Sequence, residues 1–296
     1  MKQLNLLLAA VIFCAGASAQ NDTTITKKSD TMRIGNIIII KKGNGSSQVN
    51  PISEEERRKE FERKHSKKIS TDWFAVDLGF SNYDDKTNYT AATNDGSHYL
   101  INNPAVGSPA LSKSDFKLRT GKSINVNIWL FMQKINLVKK NVNLKYGLGV
   151  ELNNYRYRSG ISYKEGGTLP YGGQTNSPYI FRDSVSFSKN KLAADYITVP
   201  VMLNFSTTPR YNKPAYMVSF GVSAGYLYSQ RNKQKSDGRG KLKNKGDYDL
   251  EKFKFSYVAE IGIGQIKLYG AYSPKSMYEH SLDIRPYTFG IRAGNW

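Results

Sequence analysis

The chain of 296 residues has one cysteine, Cys14, and it lies within the first twenty positions. Once that stretch is removed on export, the remainder can form no disulfide and can use no thiolate chemistry. Histidine is almost as scarce: His65, His98 and His280 fall far apart, and no pair has the spacing of metal ligands. Beyond the first twenty residues no run approaches the roughly 18 apolar residues of a membrane-crossing helix. Gly43-x-Gly45 and Gly166-Gly167 are too short for phosphate loops and follow no strand-to-helix unit. Acidic residues are in deficit, 24 against 43 Lys and Arg, for a formal net charge of +19. No cofactor and no metal are expected from this inventory.

What is present begins with a leader. Lys2 supplies a basic start, residues 6–13 an apolar core, and Ala17-Ser18-Ala19 a small-x-small cleavage site. These features predict a secretory signal peptide over 1–19, cleaved after Ala19, with Gln20 as the mature N-terminus. Phe13 stands where a lipoprotein box needs a small residue before the cysteine. Residues 20–72 are polar and poor in aromatics. They predict one short strand over 32–41 and one helix over 53–68, with Ser53 and Glu56 as a capping box. Glu54/Arg58 and Glu55/Lys59 are its i,i+4 ion pairs. Phe61 is nearly the only apolar side chain of that helix, so it has no core face. The segment is expected to be a partly disordered periplasmic extension.

From Trp73 to the end, residues 73–296, the texture becomes alternation. Phe74, Val76, Leu78 and Phe80 share one face of the first run, against Ala75, Asp77, Gly79 and Ser81. The same period of two recurs near 123–132, 144–153, 196–205, 216–228, 253–263, 266–273 and 287–294, which makes eight strands. In the second run Ile124, Val126, Ile128, Leu130 and Met132 are assigned to the apolar side, with Trp129 and Phe131 inward. The connections alternate long and short. The long ones are 83–121, 158–190, 230–251 and 274–285; the short ones lie near 138–142, 207–214 and 264–265. Short turns at one end and long loops at the other are the rule for outer-membrane barrels. The predicted fold is all-β: an eight-stranded antiparallel up-and-down transmembrane β-barrel, with both termini in the periplasm.

One face of the strands is aliphatic with Tyr and Phe towards the ends, as a lipid belt with aromatic girdles requires. The other carries Gly, Ser, Asn and the charged set Asp77, Lys145, Glu151, Lys254, Glu260, Lys267 and Arg292. Eight strands enclose only enough room for side chains, and buried charges must pair. A solid ion network is expected inside, not a pore. On this reading Leu148→Arg should be damaging and the inward Gly149→Ser milder. The rival is a soluble lipocalin-like barrel with the apolar face inside. The alternation of loops and the terminal Trp296 argue against it.

Chemistry is sparse. Glu279-His280-Ser281 is the one catalytic-looking group, but triad members must converge, and three consecutive residues mostly point apart. The chain is read as a non-enzyme, with a lipid A-modifying activity as a remote rival. Its third long loop is basic: Arg231, Lys233, Lys235, Arg239, Lys241, Lys243 and Lys245 stand against Asp237 and Asp247. They form either a solvated, mobile hairpin tip or contacts to phosphates of outer-leaflet lipopolysaccharide. Outer-membrane lipid, lipopolysaccharide and a periplasmic or secretion-machinery protein are the partners expected; nucleic acid is not, for an exported chain.

The segments WFAVDLGFSNY (73–83), GKSINVN (121–127), YGLGVELNNY (146–155) and YITVPVMLNF (196–205), with the lead-in MRIGNIIII (32–40), carry a resemblance. They resemble the PorT-like outer-membrane β-barrel proteins of Gram-negative bacteria that carry type IX secretion. The resemblance covers nearly all of the chain after the leader. It implies the barrel and its location, and raises a role as a component or accessory of that secretion system. It brings no catalytic motif, and fold analogy alone does not carry the secretion role. A structural or interaction role in the cell envelope is the functional expectation.

Overall fold

The computed structural model describes residues 30–34, 37–41, 47–51, 53–59, 67–96, 98–101, 110–138, 141–170, 172–207 and 214–293. The leader and its cleavage site, Phe61, His65, the Gly43-x-Gly45 stretch and Trp296 lie outside these residues. The chain divides into two compact units, residues 1–63 and 64–296.

In the first unit, the single strand expected over 32–41 is instead two. Asp30–Ile34 and Ile37–Lys41 pair antiparallel, and Ser47–Pro51 adds a third strand to the second. Gly35-Asn36, between the first two, is a two-residue hairpin signal that the apolar run of isoleucines obscured. Helix covers 54–59. The Ser53 amide bonds the Glu56 carboxylate at 3.1 Å while Ser53 Oγ accepts from the Glu56 amide at 3.2 Å, so two orphan donors of the first turn are satisfied reciprocally. Lys59 and Glu55 pair at 2.7 Å on the solvent side.

In the second unit eight strands form a ring: β1 Ile69–Asp85, β2 Ile124–Val138, β3 Val142–Arg156, β4 Lys189–Ser206, β5 Tyr216–Ser236, β6 Phe253–Ile263, β7 Ile266–Tyr272 and β8 Ile284–Ala293. Every neighbour is antiparallel, each strand pairs with the next in sequence except across β8–β1, and that pairing completes the ring. The first strand begins at Ile69, four residues before the alternation at Trp73 becomes visible. Strands β1 to β5 exceed the ~9–11 residues that cross a bilayer, whereas β7 has 7.

The two faces follow from the period of two. Outward side chains stay bare: Leu78 is 61% exposed, Ile261 58%, Leu268 55% and Ile291 54%. Such a continuous apolar surface is untenable in water and suits lipid. Aromatic side chains bound it at both ends: Trp73, Phe205 and Tyr216 at the short turns, Tyr226, Tyr228 and Phe253 towards the long connections. Among the described residues no helix is long and apolar enough to cross a membrane.

Two irregularities correct the expected facing. Phe74 adopts φ +56° and is skipped in the β1–β2 register, so Trp73 and Phe74 both face out. Leu130 stands opposite Phe74, unpaired there without a shift, and is extra in the β2–β3 register. Beyond it the parity reverses, as a one-residue slip requires. Met132 therefore points inward and is fully buried, while Phe131 lies on the outer side, its ring 6.1 Å from that of Trp73.

The long connections are not open loops. All four contribute to one apolar core above the bore, built from Leu100, Phe116, Tyr157, Ile180, Tyr248 and Tyr278 among others. Tyr179–Arg182 pairs antiparallel with Ile161–Lys164 and parallel with Leu100–Ile101, which ties the first and second connections together. Buried tyrosine hydroxyls find partners as burial demands: Tyr157 with Tyr163 at 2.6 Å, Tyr163 with Tyr278 at 2.8 Å, and Tyr99 with the Tyr248 carbonyl at 2.6 Å.

Candidate functional site

The bore holds the charged residues that alternation assigns to it. Asp77 on β1 faces Arg292 on β8 directly in register. Arg292 donates from Nε to Asp77 Oδ1 at 2.5 Å and from Nη2 to Oδ2 at 2.6 Å. Its remaining Nη1 reaches Glu260 on β6, and Lys145 on β3 closes on the same carboxylate at 3.0 Å. Glu151 pairs with Lys254. Lys267, also buried, stands opposite Arg292 in the β7–β8 register.

Taking such charges out of water is expensive unless every lone pair and proton is met, and here neutral side chains complete the set. Asp77 Oδ2 also accepts from Trp129 Nε1 at 2.7 Å and Asn127 Nδ2 at 3.1 Å. Asn153 donates to Glu151 at 2.9 Å and accepts from Asn125 and Ser81. Tyr269 Oη donates to Asn125 at 2.5 Å, and Arg292 lies 5.4 Å from the Trp129 ring centroid. Alternation places Ser81, Asn125, Asn127, Trp129 and Asn153 on the inward side, but their bonds to the ion network follow only from the register. The space left beside Trp129, Met202, Tyr269 and Arg292 is a cavity of about 40 Å³. That holds a few waters, not a water column.

At the rim, Glu279-His280-Ser281 does not converge. His280 Nδ1 bonds Asp249 of the third connection at 2.9 Å, and Ser281 Oγ turns to Asp95 of the first. Asp249, Glu279 and His280 do bring three ligand-type atoms within 4.8 Å of one another. His280 is exposed, and its hydrogen bond to Asp249, then that residue's charge, raise the imidazole above its ordinary value. This contact straps the third connection to the fourth.

The basic third connection is the hairpin expected there. Strand β5 runs on to Ser236 and turns back through Gly240–Lys245. The register sets Arg231 opposite Lys245, Lys233 opposite Lys243 and Lys235 opposite Lys241, so six of the seven expected cations share one face. Arg239 is the exception. It sits in the turn, and its guanidinium bonds Asp183 at 2.8 Å.

A closed antiparallel ring with a bare apolar outside, aromatic ends and a polar filled inside defines an integral β-barrel membrane protein. Residues 76–274 match the family model described as outer membrane protein beta-barrel domain, and the chain belongs to that family, as an outer-membrane β-barrel protein. No curated protein matches it in sequence.

Proposed function

We infer that the protein is a non-enzymatic, plugged barrel with a structural or interaction role in the cell envelope, exported through the leader at 1–19. The observation that carries this reading is the closure of the bore twice over. The Asp77–Arg292–Glu260–Lys145 network fills its middle, and the tyrosine-rich core of the four long connections covers its outer end. A channel needs both of these open. A hydrolytic site at the rim needs His280 and Ser281 to serve one reacting atom, and they are engaged by different carboxylates. The purified protein in planar bilayers should give no stable porin-sized current. Reproducible large conductance would overturn the plugged reading and favour transport.

A second reading, as an accessory of a type IX secretion system, is favoured by the PorT-like segments at 73–83, 146–155 and 196–205. Deletion of the gene should then block export of that system's cargo. Normal secretion by the deletion strain would remove this reading and leave the first intact.

A further inference from the structure

We propose that the outer wall of β3, β4, β5 and the hairpin strand Gly240–Lys245 is a binding site for the phosphorylated head groups of outer-leaflet lipopolysaccharide. The proposal rests on the outer-membrane placement and deepens the interaction role.

The site is legible only once the register is known. Arg156 on β3 faces Lys191 on β4, Lys191 faces Lys233 on β5, and Lys233 faces Lys243 on the hairpin strand. Four cations thus stand in one row across four strands, at the ~4.8 Å spacing of a sheet. A second row, Lys189–Lys235–Lys241, lies beside it, and Arg231–Lys245 forms a third. Like charges directly opposite one another destabilise a sheet, and these rows contain no carboxylate. Asp195, two residues along β4 from the third row, is already held by Arg231. Among the described residues the ammonium groups of Lys189, Lys233, Lys235, Lys241, Lys243 and Lys245 have no hydrogen-bond or ion-pair partner. A wall that gathers cations this way, with its one carboxylate already taken by Arg231, is complementary to an external polyanion.

Position selects the anion. The β4–β5 register slips by one at Asp195/Tyr196, where Tyr228 is extra. That slip turns Arg231, Lys233 and Lys235 to the same outer side as Tyr226 and Tyr228, the aromatic girdle of the apolar belt. Without it they would point into the tyrosine-rich core. Arg231 is three residues on from Tyr228, which at ~3.3 Å per residue and a tilt near 40° is about 8 Å of height. That is the depth of the head-group layer beside a bilayer's hydrocarbon. A soluble anion would not need the cations beside the belt on the lipid-facing side of the wall; a phosphorylated glycolipid packed there does. Charge-assisted bonds from ammonium and guanidinium to phosphate oxygens then relieve the repulsion between rows.

The test uses the full-length mature barrel in zwitterionic detergent, with binding followed by native mass spectrometry and thermophoresis. The probes are bisphosphoryl lipid A, monophosphoryl lipid A and inorganic pyrophosphate. Bisphosphoryl lipid A should bind best. The row variant Lys191→Gln/Lys233→Gln/Lys243→Gln should weaken it by about tenfold. Removing three exposed lysines elsewhere, Lys117→Gln/Lys122→Gln/Lys164→Gln, should change it little. Gel migration before and after boiling reports whether each variant is folded. If the row variant does not fold, the ranking of bisphosphoryl over monophosphoryl lipid on the unmodified protein still decides. Equal binding of the two lipids, equal loss in both triple variants, or pyrophosphate binding as tight as lipid A would overturn the proposal. Recovery outside the outer-membrane fraction of cells would instead defeat the envelope role, whatever the lipid measurements show.

Discussion

Arg292 grips Asp77 with two parallel bonds across the one strand pair that joins the end of the barrel sequence to its beginning. The remaining strand contacts of the ring link sequence neighbours or the β4–β5 hairpin, so this ion pair lies on the most non-local seam. Breaking a buried pair by removing one partner costs about 3–5 kcal/mol, because the survivor is left buried and under-paired. Asp77→Ala should therefore lower the urea midpoint of the folded, unboiled gel form more than Asp77→Leu combined with Arg292→Leu does. Additive losses in that double-mutant cycle would mean the two residues are not coupled.

The faces of β3 make a second test. Leu148 is lipid-facing, and an arginine there should impair assembly by about 2–4 kcal/mol. The expectation that Gly149→Ser would be milder does not survive the structure. A Cβ on Gly149 would stand 2.5 Å from the Ile128 carbonyl and 2.7 Å from the Trp129 ring. Even Gly149→Ala should block folding into the heat-modifiable form. Gly270→Ala meets nothing nearer than the Thr288 carbonyl at 3.8 Å, and should be tolerated. Folding yields that rank Gly149→Ala above Gly270→Ala would show that the bore is looser than described.

The alternation was readable because lipid outside and a filled bore inside impose opposite chemistries on successive residues. Asp77, Lys145 and Glu260 could be assigned inward on that ground alone. Their pairing could not, since Arg292 meets Asp77 through a register that no local pattern carries. The irregularities left a fainter sign, the consecutive apolar residues Trp73-Phe74 and Leu130-Phe131-Met132, which strict alternation forbids. The tyrosine core left almost none. Tyr99, Tyr163, Tyr248 and Tyr278 come from four separate connections with no period to link them. The basic hairpin was visible as charge, but its shared face was not, because the slip at Tyr228 decides which way Lys233 points.

Topology follows from the chain order of turns. Asp237 lies at the tip of the hairpin and Gln265 in the two-residue turn between β6 and β7, and both are exposed. On intact cells an impermeant maleimide should label Asp237→Cys and spare Gln265→Cys until the outer membrane is permeabilised. Cys14 is the sole native cysteine, so background is low in a chain that has lost its leader. Equal labelling of both sites on sealed cells would refute the threading.

The strap between His280 and Asp249 titrates. The hydrogen bond and the carboxylate's charge raise the imidazole. Its contribution is therefore fully present below the unfolded histidine value of ~6.5 and is lost as pH rises through the folded value. An NMR titration should place His280 above that reference, and Asp249→Asn should bring it back. A midpoint that Asp249→Asn leaves unmoved would mean that the two side chains do not meet in solution.

The basic face also predicts a stability effect in the absence of any lipid A. Lys233 sits between Lys191 and Lys243 in the cross-strand register. A glutamate at 233 would convert two like-charge contacts into opposite-charge ones, each contributing roughly 0.2–1 kcal/mol on a sheet surface. In detergent stripped of lipid A, Lys233→Glu should raise the thermal midpoint of the β4–β5–hairpin region, or slow its amide exchange. Added salt should shrink the gain, since exposed charges are screened over a Debye length of ~10 Å at 0.1 M. With bisphosphoryl lipid A present the order should invert, because the unmodified row gains a counter-ion that the glutamate repels. A variant less stable than the parent in lipid-free detergent would show that Lys191, Lys233 and Lys243 do not repel one another there.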